Sequence, residues 1–376
     1  MVTGRFVVLD APRGNFGIQD APLPDPAAGT VLLRMELSGC CATDAHTYLG
    51  QFPSRFPILL GHENVGAVEA VGSGGARDYL GRELRPGDRV FARWGWCGDC
   101  FECRVLRQPR RCRNRHMGYG GMPLEPENLF SGGFAEYLYL SAPATTLLLR
   151  MEVPATVAVL SEPLGVAATA VRRAQPRLGE TIVVQGCGAI GLLTLGLARL
   201  AGAGRAIVVG APAARLEIAR AFGADVVVDI DQVRSAEERT RAVLGETPHG
   251  MGADLVYGCV GLGPAWLEGI SYLRDAEGRF MEVGLASDVG TVAFNPATHL
   301  VGKNAIFMGS LGLQDYQDAV VAARVMEQRA LPLEQLVSHQ LPLERVADAI
   351  AALNADYRVD GREAVKIAIA PNGPVP

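Results

Sequence analysis

Three separated segments carry side chains able to hold a metal ion and to handle a proton. They are Gly39-Cys40-Cys41-Ala42-Thr43-Asp44-Ala45-His46, Gly61-His62-Glu63-Asn64-Val65-Gly66 and Ser161-Glu162-Pro163-Leu164. A thiolate, an imidazole and a carboxylate can occupy three positions of a zinc ion and leave the fourth for a substrate oxygen. Zinc so held lowers the pKa of a bound alcohol and stabilises the alkoxide from which a hydride departs. The competing reading of Glu63 and Glu162 is an ordinary salt bridge for each.

A second ligand set is more compact. Cys97, Cys100, Cys103 and Cys112 are separated by two, two and eight residues. One Zn2+ can take all four thiolates tetrahedrally, which leaves no open position, so this metal would organise a loop and do no chemistry. Arginines are dense between Arg104 and Arg115, yet the whole chain carries a net charge of −5 and no nucleic-acid motif. The basic stretch therefore reads as a solvated loop or a subunit contact, with no nucleic-acid partner expected. In a reducing compartment, clustered cysteines mark metal more often than disulfides. Cys40, Cys41, Cys187 and Cys259 are scattered.

The third chemical motif is Gly186-Cys187-Gly188-Ala189-Ile190-Gly191, which follows a strand pattern and opens a helix pattern. Gly186 permits the tight turn, Gly188 lets a pyrophosphate approach the positive helix end, and Gly191 lets the helix pack on the sheet. Ala189, Ile190, Val260 and Val283 are counted among the cofactor contacts, and Cys187 reads as a small buried side chain. The residue ending the second strand selects the cofactor, because an acid there binds the ribose hydroxyls and repels a 2′-phosphate. That residue is Gly210, with no basic neighbour. The reading leans to NAD and leaves NADP open. Arg215, one turn into the next helix, either reaches the adenosine ribose or its phosphate or is a solvated helix charge.

The elements that must position these residues fall into two styles. Up to about residue 160 the chain is rich in Gly and Pro, with short strand-like runs at Val31–Leu37, Val65–Val71, Arg89–Ala92 and Ala135–Leu140. That describes an irregular β domain with ligand-bearing loops. From Thr181, strands alternate with helices, including helix patterns over Ala189–Ala201, Pro212–Phe222 and Pro264–Leu273, so a parallel sheet of βαβ units is expected. Helix patterns over Gln314–Arg329 and Leu343–Asn354 and a strand over Ala364–Ile369 close the chain. With 376 residues, about half of them apolar, two domains with full cores are expected. Charges at Arg5, Asp10 and Arg13 argue against a signal peptide, and the best apolar run, Ala155 to Val171, contains Glu162 and Pro163. A cytoplasmic protein with no membrane partner is the expectation.

Taken together, the chain resembles the zinc-containing medium-chain alcohol dehydrogenases along its whole length. The resemblance rests on Gly-x-Cys-x-x-Asp-x-His ending at His46, Gly61-His62-Glu63 with Val71-Gly72, Gly87-Asp88-Arg89-Val90, the four-cysteine lobe, Gly132-Gly133-Phe134-Ala135-Glu136-Tyr137, Glu162-Pro163-Leu164 and the glycine fingerprint. The Glu-Pro-Leu version points to the sorbitol and threonine dehydrogenase side of that family. The resemblance implies Cys41, His62 and Glu162 as ligands of a catalytic zinc, with Glu63 a direct or neighbouring group and Asp44 orienting His62. It makes Thr43 the acceptor of the alcohol proton, which passes by way of the ribose to His46 and then to solvent; a histidine of pKa about 6.5 suits that relay. Lys366 stands where a basic side chain commonly reaches the pyrophosphate. Cys40, one place off the motif, is structural. The chain departs from the pattern in a four-cysteine lobe one residue longer than usual and in Ala42, where some relatives carry a basic residue.

The resemblance thus implies an α/β fold: a doubly wound Rossmann coenzyme domain over residues 166–306, and an irregular β-rich, GroES-like catalytic domain over 1–165 and 307–376, with the zinc lobe at about 93–116. Substrate would lie between the two. The expected reaction is reversible hydride transfer between a primary, secondary or polyol alcohol and NAD(P), with two zinc ions per chain. A homodimer or homotetramer is expected, with a small alcohol or carbonyl compound as partner. Tyr48, Phe52, Trp94 and Met117 are pocket candidates by closeness to the motifs. Two rival readings are a zinc-free enone or quinone reductase of the same superfamily and a non-catalytic zinc-lobe binding protein; metal content and turnover separate them from the first.

Overall fold

The structure is a computed structural model that describes residues 2–106, 108–114, 119–141, 146–285, 287–288 and 290–376. Met117 lies outside the described residues. The chain forms two units, Met1–Glu162 with Asp315–Pro376, and Pro163–Gln314. No helix among the described residues is long and apolar enough to cross a membrane.

The second unit is built on continuous apolar runs. Thr181–Gln185 is buried throughout, as a strand covered by helices on both faces must be. Its six-stranded sheet runs Val226–Asp229, Arg205–Gly210, Thr181–Gln185, Leu255–Gly258, Arg279–Glu282 and Ile306–Gly309 from edge to edge. Every neighbouring pair is parallel. Numbered along the chain the order is third, second, first, fourth, fifth, sixth, the doubly wound arrangement that receives a dinucleotide at the carboxyl ends of its strands. Val183, Ile207, Val209, Val256 and Phe280 lie in its core. The return to the first unit falls at Asp315 and not at 307, because Ile306–Gly309 supplies the sixth strand.

In the first unit a seven-stranded sheet brings distant sequence together. Its path is Val337–Leu341, Lys366–Ile369, Val31–Gly39, Glu63–Val71, Arg89–Trp94 and Thr146–Arg150, with Tyr137–Leu140 also on Val31–Gly39. Two registers position the metal-ligating side chains. Gly39 faces Glu63 on one side and Ala368 on the other, and Ala92 faces Asn64. The end of one strand, the start of the next and the C-terminal strand therefore share one corner. A smaller four-stranded sheet, Phe16–Pro22, Thr3–Leu9, Ile58–Leu60 and Gly121–Pro123, completes the unit.

Candidate metal centre and coenzyme site

Past Gly39 the chain turns at Cys41, the N-cap of the short helix Ala42–Tyr48. The Cys41 amide donates to Asp44 Oδ2 at 2.9 Å, so the acid of the first turn fixes the cap. Asp44 is buried, and its other oxygen lies 3.4 Å from His62 Nδ1, which orients the imidazole. His62 precedes the strand that Glu63 opens. The result is that ligand atoms of Cys41, His62 and Glu63 all lie within 4.8 Å of one another. Gly39 makes room for this: a Cβ there would stand 2.0 Å from Glu63 Oε2.

Charge in this corner is tightly balanced. Glu63 is 1 % exposed and Lys366 6 %, and the ammonium donates to Glu63 Oε1 at 2.6 Å. Burial pushes the Glu63 carboxyl up, with Lys366 opposing that and the negative charge of Glu162 adding to it. Burial by itself would lower the His62 pKa; Asp44 outweighs it and holds the imidazole well above its usual range. A thiol, an imidazole and a carboxylate in anion-rich surroundings form a donor set that suits a divalent cation, which would take the place of that proton. Cys40, by contrast, is buried in the apolar core with its thiol pushed up by burial.

Glu162 does not join this set. It is 5 % exposed, on the first turn of the helix Ser161–Ala174, and its Oε1 is 3.1 Å from Arg93 Nη2. The resemblance implies Glu162 as the third ligand; here Glu63 groups with Cys41 and His62, and Glu162 pairs with the buried Arg93 guanidinium. Lys366, expected near the coenzyme pyrophosphate, donates to Glu63. Sequence reasoning missed Arg93 altogether. The signal was a charge placed between Ala92 and Trp94 in a strand whose interior is buried.

Thr43 Oγ1 lies 3.6 Å from Cys41 Sγ, beside the ligand set. His46 follows three residues later on the same helix face, half-buried, with Nδ1 bonded to Gln51 Oε1 and its ring edge-on to Phe52 at 6.0 Å. Trp94 lies under the Arg93 guanidinium at 4.8 Å. Tyr48 stacks on Phe16 at 5.7 Å and packs on the apolar core.

The four lobe cysteines gather their sulfurs within 4.8 Å. Backbone N–H groups of Cys97 and Cys100 point at Cys112 and Cys97 sulfurs, at 3.5 and 3.4 Å. Burial raises the Cys97 thiol, but the amides of Cys100 and Asp99 and the Asn114 side chain more than offset it and bring it to about 6. Burial and the adjacent Cys100 push Cys103 up. Four such thiols can ionise together only around a cation, which is the fit of a closed zinc site.

In the second unit, Gly186 has φ 103° and Gly188 caps the helix Ala189–Leu200. A Cβ at Gly191 would meet the Gly186 carbonyl oxygen at 1.9 Å. Gly188, Ala189 and Ile190 remain half-buried at the carboxyl edge of the sheet, as do Val260 and Val283 beyond their strands, so the pyrophosphate surface is formed and accessible. Gly210 abuts Cys187: a Cβ would lie 2.6 Å from its sulfur. Arg215 is 7 % exposed, which excludes the solvated-charge reading, and its positive charge is felt by the Cys187 thiol.

Comparison with known proteins agrees with this architecture. Residues 27–151 match the alcohol dehydrogenase GroES-like domain, and residues 189–326 match the zinc-binding dehydrogenase domain. The chain is 30 % identical to 5-exo-hydroxycamphor dehydrogenase of Pseudomonas putida, covering 89 % of this chain and 92 % of that protein. It is also 30 % identical to sorbitol dehydrogenase of Pongo abelii, covering 89 % of each. The crystal structure of an alcohol dehydrogenase from Thermotoga maritima superimposes with a TM-score of 0.86 at 29 % identity, over 99 % of this chain and 100 % of that one. The chain belongs to the zinc-containing medium-chain alcohol dehydrogenase family.

Proposed function

We propose that this chain is a zinc-dependent dehydrogenase that oxidises an alcohol reversibly with NAD(P), leaning to NAD, and that its substrates are polyols or cyclic secondary alcohols. The observation that carries the reading is the buried set of Cys41, His62 and Glu63 with the Thr43 hydroxyl beside it. The substrate class is drawn from relatives named for sorbitol and hydroxycamphor.

Cys41, His62 and Glu63 would hold a zinc ion, which would supply Lewis-acid polarisation of the alcohol oxygen. The remaining work falls to the chain. Asp44 keeps His62 in its ligating orientation through Nδ1. Thr43 Oγ1 takes up the alcohol proton as it gives up its own, and His46, at the far end of the relay, exchanges the proton with water. Gln51 holds the His46 ring through Nδ1. Lys366 donates to the Glu63 carboxylate and opposes the rise that burial gives its pKa. Cys97, Cys100, Cys103 and Cys112 hold a second zinc that orders their loop. On the second unit, Gly188 and the helix it caps bind the pyrophosphate.

Elemental analysis of freshly purified protein, with a screen of polyols and cyclic and aliphatic alcohols against both coenzymes, tests this. Two zincs per chain and coenzyme-linked oxidation are expected, with Glu63→Ala losing more activity than Glu162→Ala. Turnover by metal-free protein would overturn the proposal.

A further inference from the structure

The metal corner holds two buried carboxylates and two buried cations. Glu63 is paired with Lys366 and Glu162 with Arg93. A zinc site that keeps one position open takes three protein ligands, so with Cys41, His62 and one glutamate in place the second glutamate could enter only by closing that open position. What decides between them is how firmly each is held elsewhere.

The two cations are not equivalent. Lysine is a point charge on a flexible stem with rotatable donors, whereas the arginine fork is planar, always charged and stacks on aromatic faces. Arg93 has all three advantages here. Its side chain is 5 % exposed and that of Glu162 7 %, the pair is closed at 3.1 Å, and the guanidinium lies on the Trp94 ring at 4.8 Å. Moving Glu162 to the metal would break a closed ion pair in the interior, and breaking a buried pair is costly. Glu63 already lies among the ligand atoms while paired with Lys366, so it need not leave its partner to ligate. The register Ala92–Asn64 sets Arg93 on the strand next to Glu63, so both ion pairs belong to one piece of sheet.

We infer that Arg93 is a positioning residue that holds Glu162 off the catalytic metal and thereby makes Glu63 the carboxylate ligand. This rests on the zinc reading above. Three features follow for the protein. Glu162→Gln leaves the metal's ligand set unchanged. Arg93→Leu releases Glu162 to the metal as an added anionic oxygen ligand. Arg93→Lys keeps the original set.

The test is the visible spectrum of Co(II)-substituted full-length protein, whose ligand-field bands report coordination number and ligand type, together with metal content. Any cobalt in the four-cysteine lobe contributes equally to every variant and cancels in difference spectra. Wild type, Glu162→Gln and Arg93→Lys should superimpose. Arg93→Leu should show weakened ligand-field bands and retain its metal about 10- to 100-fold more tightly against a chelator, the scale on which partners of metal ligands act. Adding Glu162→Gln to Arg93→Leu should restore the wild-type spectrum; this double variant also removes the unpaired charge, so it folds even where Arg93→Leu does not. An altered spectrum for Glu162→Gln alone, or an Arg93→Leu spectrum identical to wild type at two metals per chain, would overturn the inference while leaving the zinc reading intact. A single metal per chain, confined to the cysteine lobe, would overturn both.

Discussion

Replacing Gly210 by Asp places a carboxylate at the end of the second strand of the parallel sheet, where an acid selects NAD by binding the ribose hydroxyls and repelling a 2′-phosphate. The Gly210 backbone is outside the left-handed region, so nothing in its own conformation forbids a side chain. The obstacle is Cys187, whose Sγ lies 2.6 Å from the position of the new Cβ. That sulfur cannot easily retreat: Cys187 is 2 % exposed and its thiol donates to the Ala211 carbonyl oxygen at 3.1 Å. Overpacking of this kind costs about 1–3 kcal/mol. Because Cys187 sits between Gly186 and Gly188, the strain falls on the pyrophosphate turn, and Gly210→Asp alone should weaken NADH binding by about 5- to 150-fold. Cys187→Ala removes the sulfur and makes room for the new Cβ. In the double variant the carboxylate can reach the ribose, and charged hydrogen bonds worth about 1.5–3 kcal/mol should favour NADH over NADPH by about 10- to 150-fold beyond wild type. The assay is a pair of dissociation constants from quenching of protein fluorescence, with the melting temperature as a control. Tighter NADH binding by Gly210→Asp alone, at an unchanged melting temperature, would refute the steric argument.

The other expectations concern the proton path, the lobe and pH. Thr43→Val should cut alcohol oxidation by about 10²–10⁴-fold while sparing NADH binding, and His46→Gln should fall at the low end of that range, most visibly below neutral pH, because water can substitute; kcat against pH for both variants checks this. Cys112→Ser should lose one of two zincs and destabilise the first unit while Cys41, His62 and Glu63 keep theirs, as read by elemental analysis and thermal melting. Burial raises the Glu282 carboxyl to about 7, against the backbone amides of Gly284 and Leu285 that it accepts. A raised acid favours the folded state at low pH and loses that contribution as pH climbs from about 4.5 to about 7. Glu282→Gln should therefore stabilise the protein by up to about 3 kcal/mol at pH 8 and leave it unchanged near pH 4; equal melting shifts at both pH values would contradict the assignment.

Much of the architecture was legible because its signals are local. The cysteine spacing, the glycine turn before Ala189–Leu200 and the alternation of strand and helix after Thr181 each lie within a few residues, and each reports one physical requirement. The sixth strand was harder to place. Ile306–Gly309 is an edge strand with exposed Ile306, so it lacks the continuous apolar run that marks its neighbours. Arg215 shows the same limit, since its burial comes from the fold around it and not from the pattern of its own helix.

Glu63 and Glu162 show where local reading stops. Each lies in a motif that signals a metal neighbourhood, and the motif places the right segments together. Which carboxylate faces the metal depends on partners that the motifs do not contain. Lys366 meets Glu63 across 303 residues of chain because the C-terminal strand runs beside Gly39 in the sheet. Arg93 meets Glu162 because a strand and a helix separated in sequence end at the same corner. A carboxylate in the interior goes where its charge is compensated, and in this corner a lysine and an arginine compensate two of them. The ligand set is thus a property of the charge balance of the whole corner, and strand order, not motif context, determines that balance.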